Sequence, residues 1–258
     1  MKLYFRHMAI HFKCQLQYKA SFFMTVAGQF LSAFSAFISI YLLMDRFHSV
    51  NGFSVNEVLL CFAIILLSFS AAECFVRGFD SFSSTISNGM FDRLLLMPRN
   101  EILTTLCSKM EFSKIGRFAQ SVMIFCYAIP HCGVIWTAGR ILLLIFMIIS
   151  AIMLFSALFI IYASLCFFTT EGLEFMNIFT DGGREFGAYP MGIYGRRALR
   201  FFTYVVPLAM VQYYPFLYLT GKSDRSLYAL CPLAAWAFMI PAAILWRIGL
   251  RHYKSTGS

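Results

Sequence analysis

Six stretches of this chain run for 15 to 30 residues without a single Asp, Glu, Lys or Arg: 20–44, 58–72, 118–138, 141–170, 201–220 and 226–246. A helix needs about 20 apolar residues to cross the ~30 Å hydrocarbon of a bilayer. Five of the six runs meet that length. The second, bounded by Glu57 and Glu73, holds only 15 residues and spans from about 56 to 76 if its polar ends sit at the interfaces. Lipid admits only helices and closed barrels, because every backbone polar group must find a partner inside the protein. The runs are continuously apolar and do not alternate, so helices are expected. Composition agrees: 60% of the 258 residues are hydrophobic and only 13% charged, about half the ~25% of soluble proteins. That excludes a soluble domain and a disordered chain. The spread of apolar residues over the whole length excludes a soluble domain on one anchor. The expected fold is an all-α membrane protein, one transmembrane domain over 1–258 with six spans: about 20–44, 56–76, 118–138, 141–170, 201–220 and 226–246.

The net charge of +9 then reads as an orientation signal, not as a surface for nucleic acid. With both termini cytoplasmic, 17 of the 21 Lys and Arg residues fall inside and four (Arg46, Arg140, Lys222, Arg225) outside, as the positive-inside rule requires. Gly139 and Arg140 alone separate the third and fourth runs, which predicts a tight hairpin. The long polar segments, about 73–117 and 171–200, would both face the cytoplasm. In residues 1–19, Phe5, Met8, Phe12 and Leu16 recur at helical spacing beside Lys2, Arg6 and Lys13, which suggests an interfacial helix. An ordinary basic flank explains the same residues. Gly28, Ser32 and Ala36 form a small-residue stripe suited to close helix packing. Pro207 and Pro215, then Pro232 and Pro241, interrupt the last two runs and favour broken or re-entrant helices around the cluster Tyr213-Tyr214-Pro215. The eight cysteines form no CxxC pair and read as small buried hydrophobes. No cleavable leader and no Asn-x-Ser/Thr sequon is evident, which fits a bacterial plasma membrane.

Catalytic patterns are absent from the sequence. Gly221-Lys222-Ser223 resembles the end of a phosphate-binding loop, but Phe216 stands where that loop needs glycine. His7 and His11 share a helix face, yet no Glu follows His7, so the zinc-protease pattern fails. There is no Gly-x-Ser-x-Gly elbow, and no run carries paired acids in its middle as many proton-coupled carriers do. Glu73 and Arg77 are spaced i, i+4 and read either as an ion pair or as charges at a cavity mouth. The chain is therefore expected not to be an enzyme, with no metal or cofactor site of its own.

Two cytoplasmic motifs carry a family resemblance. One is Asn88-Gly89-Met90-Phe91-Asp92-Arg93-Leu94-Leu95-Leu96-Met97-Pro98; the other begins at Gly182-Gly183, continues through Tyr189-Pro190-Met191-Gly192-Ile193-Tyr194, and is followed by Pro207 and Tyr214-Pro215. The chain resembles the six-span membrane subunits of ABC-2 type transporters, in a subgroup without an assigned substrate; Arg99 and Asn100 depart from the more apolar pattern expected after Pro98. The resemblance implies a permease subunit of an ATP-driven exporter, paired with a second permease, identical or homologous, and powered by two copies of a separate P-loop ATPase that holds ATP and Mg. It implies a coupling segment at 77–117 that docks on the ATPase through Asp92, Arg93, Leu94, Leu95, Leu96 and Pro98. A translocation path for an amphipathic or hydrophobic substrate would use Glu73, Arg77, Phe30 and Phe34. An external gate would use Pro207, Tyr213, Tyr214 and Pro215. An ion-coupled carrier and a non-transporting membrane partner or immunity protein remain as alternatives from the residues alone.

Overall fold

A computed structural model describes residues 2–47, 49, 51–169 and 174–254. It is helical throughout, with no strand among the described residues. In chain order the helices are α1 (Lys2–Leu16), α2 (Lys19–Phe47), α3 (Val55–Asp80), α4 (Phe82–Ser87), α5 (Met90–Leu95), α6 (Glu101–Ser108), α7 (Ile115–His131), α8 (Ala138–Thr169), α9 (Asn177–Gly187), α10 (Gly195–Tyr204), α11 (Leu208–Val211), α12 (Tyr213–Leu219) and α13 (Leu233–His252). Four helical stretches are long and apolar enough to cross a membrane: Lys19–Met44, Val55–Ser87, Ala138–Thr169 and Ser226–His252.

The shortest charge-free run turns out to lie in the most buried helix. Ser54 and Glu57 form a reciprocal capping box at the start of α3, with the Ser54 N–H donating to Glu57 Oε2 at 2.7 Å. Lys222 Nζ lies 2.9 Å from Glu57 Oε1 and 2.8 Å from the Gly52 carbonyl. At the other end Glu73 is paired as well, so both charges that bounded the run are neutralised in place. The helix extends to 26 residues, about 39 Å at ~1.5 Å per residue. Everything from Glu57 through Leu66 is buried, so α3 is the axis of the bundle.

Contacts along α3 fix the direction of its neighbours. Asn56 donates to the His131 carbonyl at 2.8 Å, while Glu73 meets Arg117; α7 is therefore antiparallel to α3. Ser68 reaches the Ile148 carbonyl and Tyr162 reaches Ser83, so α8 runs parallel to it. Trp236 donates to Ser150, and Gly249 lies against Phe167, which aligns α13 with α8. On α2, the Val26 carbonyl closely approaches Gly116 of α7. The molecule thus has two ends. One carries α1, α4 to α6 and the finish of α13; here Tyr4 reaches the Phe75 carbonyl and Tyr253 reaches Asp92. The other carries Asn51, Gly52 and Lys222.

Three expectations need correction. The run 201–220 is not one helix: Pro207 and Gln212 divide it among α10, α11 and α12. Proline lacks the N–H that would continue the ladder, and the chain turns there. Second, the segment 171–200 does not stay at the Asp92 end. Arg184 of α9 sits over the ring of Phe69, Gly187 packs on Ile65, and Gly192 comes beside Asn51. The chain from 177 to 194 climbs the length of α3. It carries Arg196 and Arg197 to the Asn51 end and places Arg200 on the returning α10. Segments 1–19, 77–117 and 247–254 still hold thirteen basic residues at the Asp92 end, so the charge asymmetry weakens without reversing. Third, α7 ends at His131 and α8 begins at Ala138. A six-residue connection replaces the expected two-residue hairpin, because Pro130 lies in the last turn of α7 and Gly133 takes a positive φ of 67°.

Candidate functional site: the Asp92 end and the α10 to α12 hairpin

At the Asp92 end the short helix α5 follows a turn that only glycine enters without strain, Gly89 having φ 65°. Its buried residue is Phe91, 0% exposed. The Phe91 ring sits 5.0 Å from Phe82, 5.3 Å from Phe167 and 5.0 Å from Tyr253, each in edge-to-face geometry, the arrangement that aromatic quadrupoles favour. Trp246, 1% exposed, closes the socket. The next residue, Asp92, accepts a hydrogen bond from the Tyr253 phenol at 2.9 Å. Burial, reinforced by that carboxylate, pushes the Tyr253 phenol up to about 12.

The sequence expectation grouped Asp92, Arg93, Leu94, Leu95, Leu96 and Pro98 as one docking set. The structure separates them by task. Asp92 and Leu94 face inward, the latter packed on the core. Arg93 and Pro98 are exposed, with Leu95, Leu96 and Met97 forming an apolar knob between them. Leu96 is 84% exposed, the most exposed large hydrophobic residue described. Asn100, the departure from the family pattern, caps α6 by accepting from Ile102 N–H at 3.0 Å and Leu103 N–H at 3.3 Å. The knob is thus held between a buried aromatic anchor and a capped helix. α6 in turn lies against α3 so closely that a Cβ at Gly78 would run into the Thr105 carbonyl.

Glu73 and Arg77 belong to an ion network at the same end of α3. Glu73, 4% exposed, lies 2.7 Å from Arg117 Nη1 and 3.0 Å from Lys114 Nζ. Arg77 pairs with Asp80 and lies 3.4 Å from Glu111. Three carboxylates face three buried or half-buried cations, with Lys109 at the rim. The network joins α3 to the 111–114 turn and the start of α7. Phe30 and Phe34 are not brought to it; they line a separate cleft between α2, α3 and α7.

The α10 to α12 hairpin, at the Asn51 end, holds Pro207, Tyr213, Tyr214 and Pro215. Pro207 and Pro215 are buried, and the Tyr214 ring lies tilted against Tyr228 with centroids 5.2 Å apart. The pivot is Gln212, 0% exposed, whose Nε2 donates to the Gly187 carbonyl at 3.2 Å and contacts Cys61 Sγ. It ties the hairpin to both α9 and α3. Sequence reasoning missed Gln212, the Tyr253–Asp92 contact and the Lys114–Arg117 side of the ion network. These contacts join residues 25 or more positions apart, and no local spacing announces them.

His11 Nε2 lies 3.0 Å from the Cys107 carbonyl, docking α1 on α6. No group of three or more His, Cys, Asp or Glu able to hold a metal occurs among the described residues.

A family model described as ABC-2 family transporter protein matches residues 30–257. No curated protein matches the chain, and no solved structure does.

Proposed function

The chain belongs to the ABC-2 transporter family, and from that premise we propose that it is the permease subunit of an ATP-driven exporter. The observation that carries the reading beyond the family is the knob Leu95–Met97. Soluble surfaces seldom leave such residues uncovered without a partner, and this one stands between the buried Phe91 cluster and the Asn100 cap of α6. A separate P-loop ATPase, two copies to an assembly, grips the knob and Arg93 and holds ATP and Mg itself. A second permease, identical or homologous, completes the translocation path for an amphipathic or hydrophobic substrate. In this reading α2, α3, α7, α8, the 177–194 segment and α13 are the six crossings, and α10 to α12 form a re-entrant hairpin at the outer face. The basic Asp92 end lies in the cytoplasm and the multi-pass chain in a bacterial plasma membrane.

The test is capture of the ATPase by the tagged chain from gently solubilised membranes. Leu96→Asp should reduce capture about tenfold or more, the scale of a central apolar contact, with the unfolding temperature unchanged. Arg93→Glu should weaken it too. Normal capture by both variants would refute the docking assignment. Asp92 is the poorer probe, because its reversal also breaks the Tyr253 contact.

A further inference from the structure

In the proposed arrangement α9 and α10 expose charge at bilayer depth. Arg184 sits over the Phe69 ring and Gly187 packs on Ile65, so α9 passes the middle of α3. At that level the Asp181 and Glu185 side chains are 55% and 63% exposed. Both lean on Arg184, at 3.5 and 2.6 Å, which leaves α9 with one negative charge in excess. α10 returns beside it: Phe202 lies 5.1 Å from Phe186, and Phe201 stacks on Phe179 at 6.2 Å. Arg200 adjoins that pair of rings and stands at the depth of Asp181 and Glu185. It is exposed and has no ion-pair partner among the described residues. Arg196 and Arg197, one turn earlier, stand toward the Asn51 end. Phe186 and Phe201, 36% and 38% exposed, bring the seam between the two helices to the surface.

Lipid is a poor neighbour for such a face. Ionised side chains at this depth are costly, and almost always meet a partner or line a water-filled space. Water alone does not account for the rest of the face. Ile178, one turn before Asp181, is 63% exposed, and Tyr204, one turn after Arg200, is 80% exposed. Apolar and aromatic area set among arginines is what protein interfaces collect. The excess charge on α9 and Arg200 on α10 match in size and oppose in sign, yet within one chain they do not pair. A second copy turned about a two-fold axis along the helices keeps every residue at its depth. It brings each α9 to the other copy's α10, a self-complementary contact.

We propose that the exposed α9–α10 face is where a second copy of this chain pairs with the first, Asp181 and Glu185 of each copy lying opposite Arg200 of the other. The proposal rests on the proposed function, which puts α9 and α10 in the membrane beside a second permease, and it makes that permease identical.

Charge exchange tests it. Two full-length copies with different tags are expressed together without the ATPase, extracted in mild detergent and captured through one tag, and the other tag is then quantified. Wild-type copies should capture one another. Glu185→Lys in both copies makes the contact basic on both sides, and Arg200→Glu in both makes it acidic. Each should lower capture about tenfold or more, because like charges juxtaposed across an interface oppose association. A Glu185→Lys copy expressed with an Arg200→Glu copy should restore capture, which also shows that both variants fold. Both sites are exposed, so unfolding temperatures should match the wild type. If either variant unfolds lower, Glu185→Gln and Arg200→Gln take their places, and wild-type capture by both neutral variants overturns the proposal. No capture between wild-type copies overturns it too. So does self-capture of either charge variant at the wild-type level, the result expected if the face borders water or lipid, and so does a mixed pair that fails to restore capture. Pairing of copies in this assay beside failed ATPase capture would refute the coupling reading alone. ATPase capture beside failed pairing would refute this surface alone.

Discussion

Replacing Glu73 with Gln should destabilise the Asp92 end rather than alter what the protein transports. Glu73 is 4% exposed and neutralises Arg117 at 2.7 Å and Lys114 at 3.0 Å. Lys114 and Arg117 are themselves only 10% and 13% exposed at their side chains. Glutamine keeps the shape and removes the charge, leaving two cations that cannot turn to water. Glu111 retains Lys114 only at 3.9 Å. Breaking a buried pair from one side costs about 3–5 kcal/mol. At about 2–4 °C per kcal/mol for a chain of this length, the unfolding temperature should fall by roughly 6–20 °C. The assay is thermal unfolding of the detergent-purified chain, read as loss of the monodisperse peak in size-exclusion chromatography. The double variant Glu73→Gln/Arg117→Met should recover much of the loss, because it removes a stranded charge together with its partner. An unchanged unfolding temperature in Glu73→Gln, with altered transport, would refute the network and restore Glu73 to the path.

The Tyr253–Asp92 contact should be insensitive to pH through neutrality and break only in alkali. The folded-state phenol titrates at about 12, above the ordinary value of about 10. Its stabilisation is therefore complete below pH ~10 and lost as pH rises through the folded value. Tyrosinate absorbance should show one late-titrating group fewer in Tyr253→Phe than in the wild type; an unchanged titration in that variant would sink the assignment. Gly187→Ala should cost about 1–3 kcal/mol by overpacking, because the new methyl would lie 3.0 Å from Ile65 Cγ1. Ile65→Val in the same chain should relieve part of it, as seen in paired unfolding temperatures.

The long apolar helices were legible because each is a run that needs no distant information. α2 and α8 fall within three residues of 20–44 and 141–170, whereas α13 is shifted six to seven residues along the chain from 226–246. Where the reading failed, the deciding contact was remote. Nothing near Val58–Ala72 says that Lys222 and Arg117 will neutralise its two flanking glutamates and let α3 grow. The prolines at 207 and 215 did announce broken helices. They could not say that the ascent along α3 had already been made by 177–194, a segment carrying Asp181, Arg184 and Glu185 that no hydropathy count would select. Arg184 is accommodated there by Asp181 at 3.5 Å, Glu185 at 2.6 Å and the face of Phe69. In the coupling motif the residue types were visible, but their division of labour was not. Phe91 and Leu96 look alike in sequence, and one is fully buried while the other is nearly free.

That division bears on how a push at the knob could travel. Phe91 joins α5 to α4, α8 and α13 through one aromatic cluster, and the Tyr253 phenol adds a polar tie to the same helix end. Gly78 brings α6 into backbone contact with α3, and Glu73 carries that connection to α7. A force on Leu96 therefore meets no soft joint before it reaches four long helices, and close-packed interiors transmit strain with little compression. The α10 to α12 hairpin is packed into both core clusters through Leu208, Ala209, Val211 and Phe216. Gln212 adds a polar tie from its turn to α9 and α3. In the proposed transporter that tie links the hairpin to the helix that a push at the knob would move. Gln212→Leu should then leave ATPase capture intact while uncoupling ATP hydrolysis from export, whereas equal losses in capture and export would mean that the two ends move as one body.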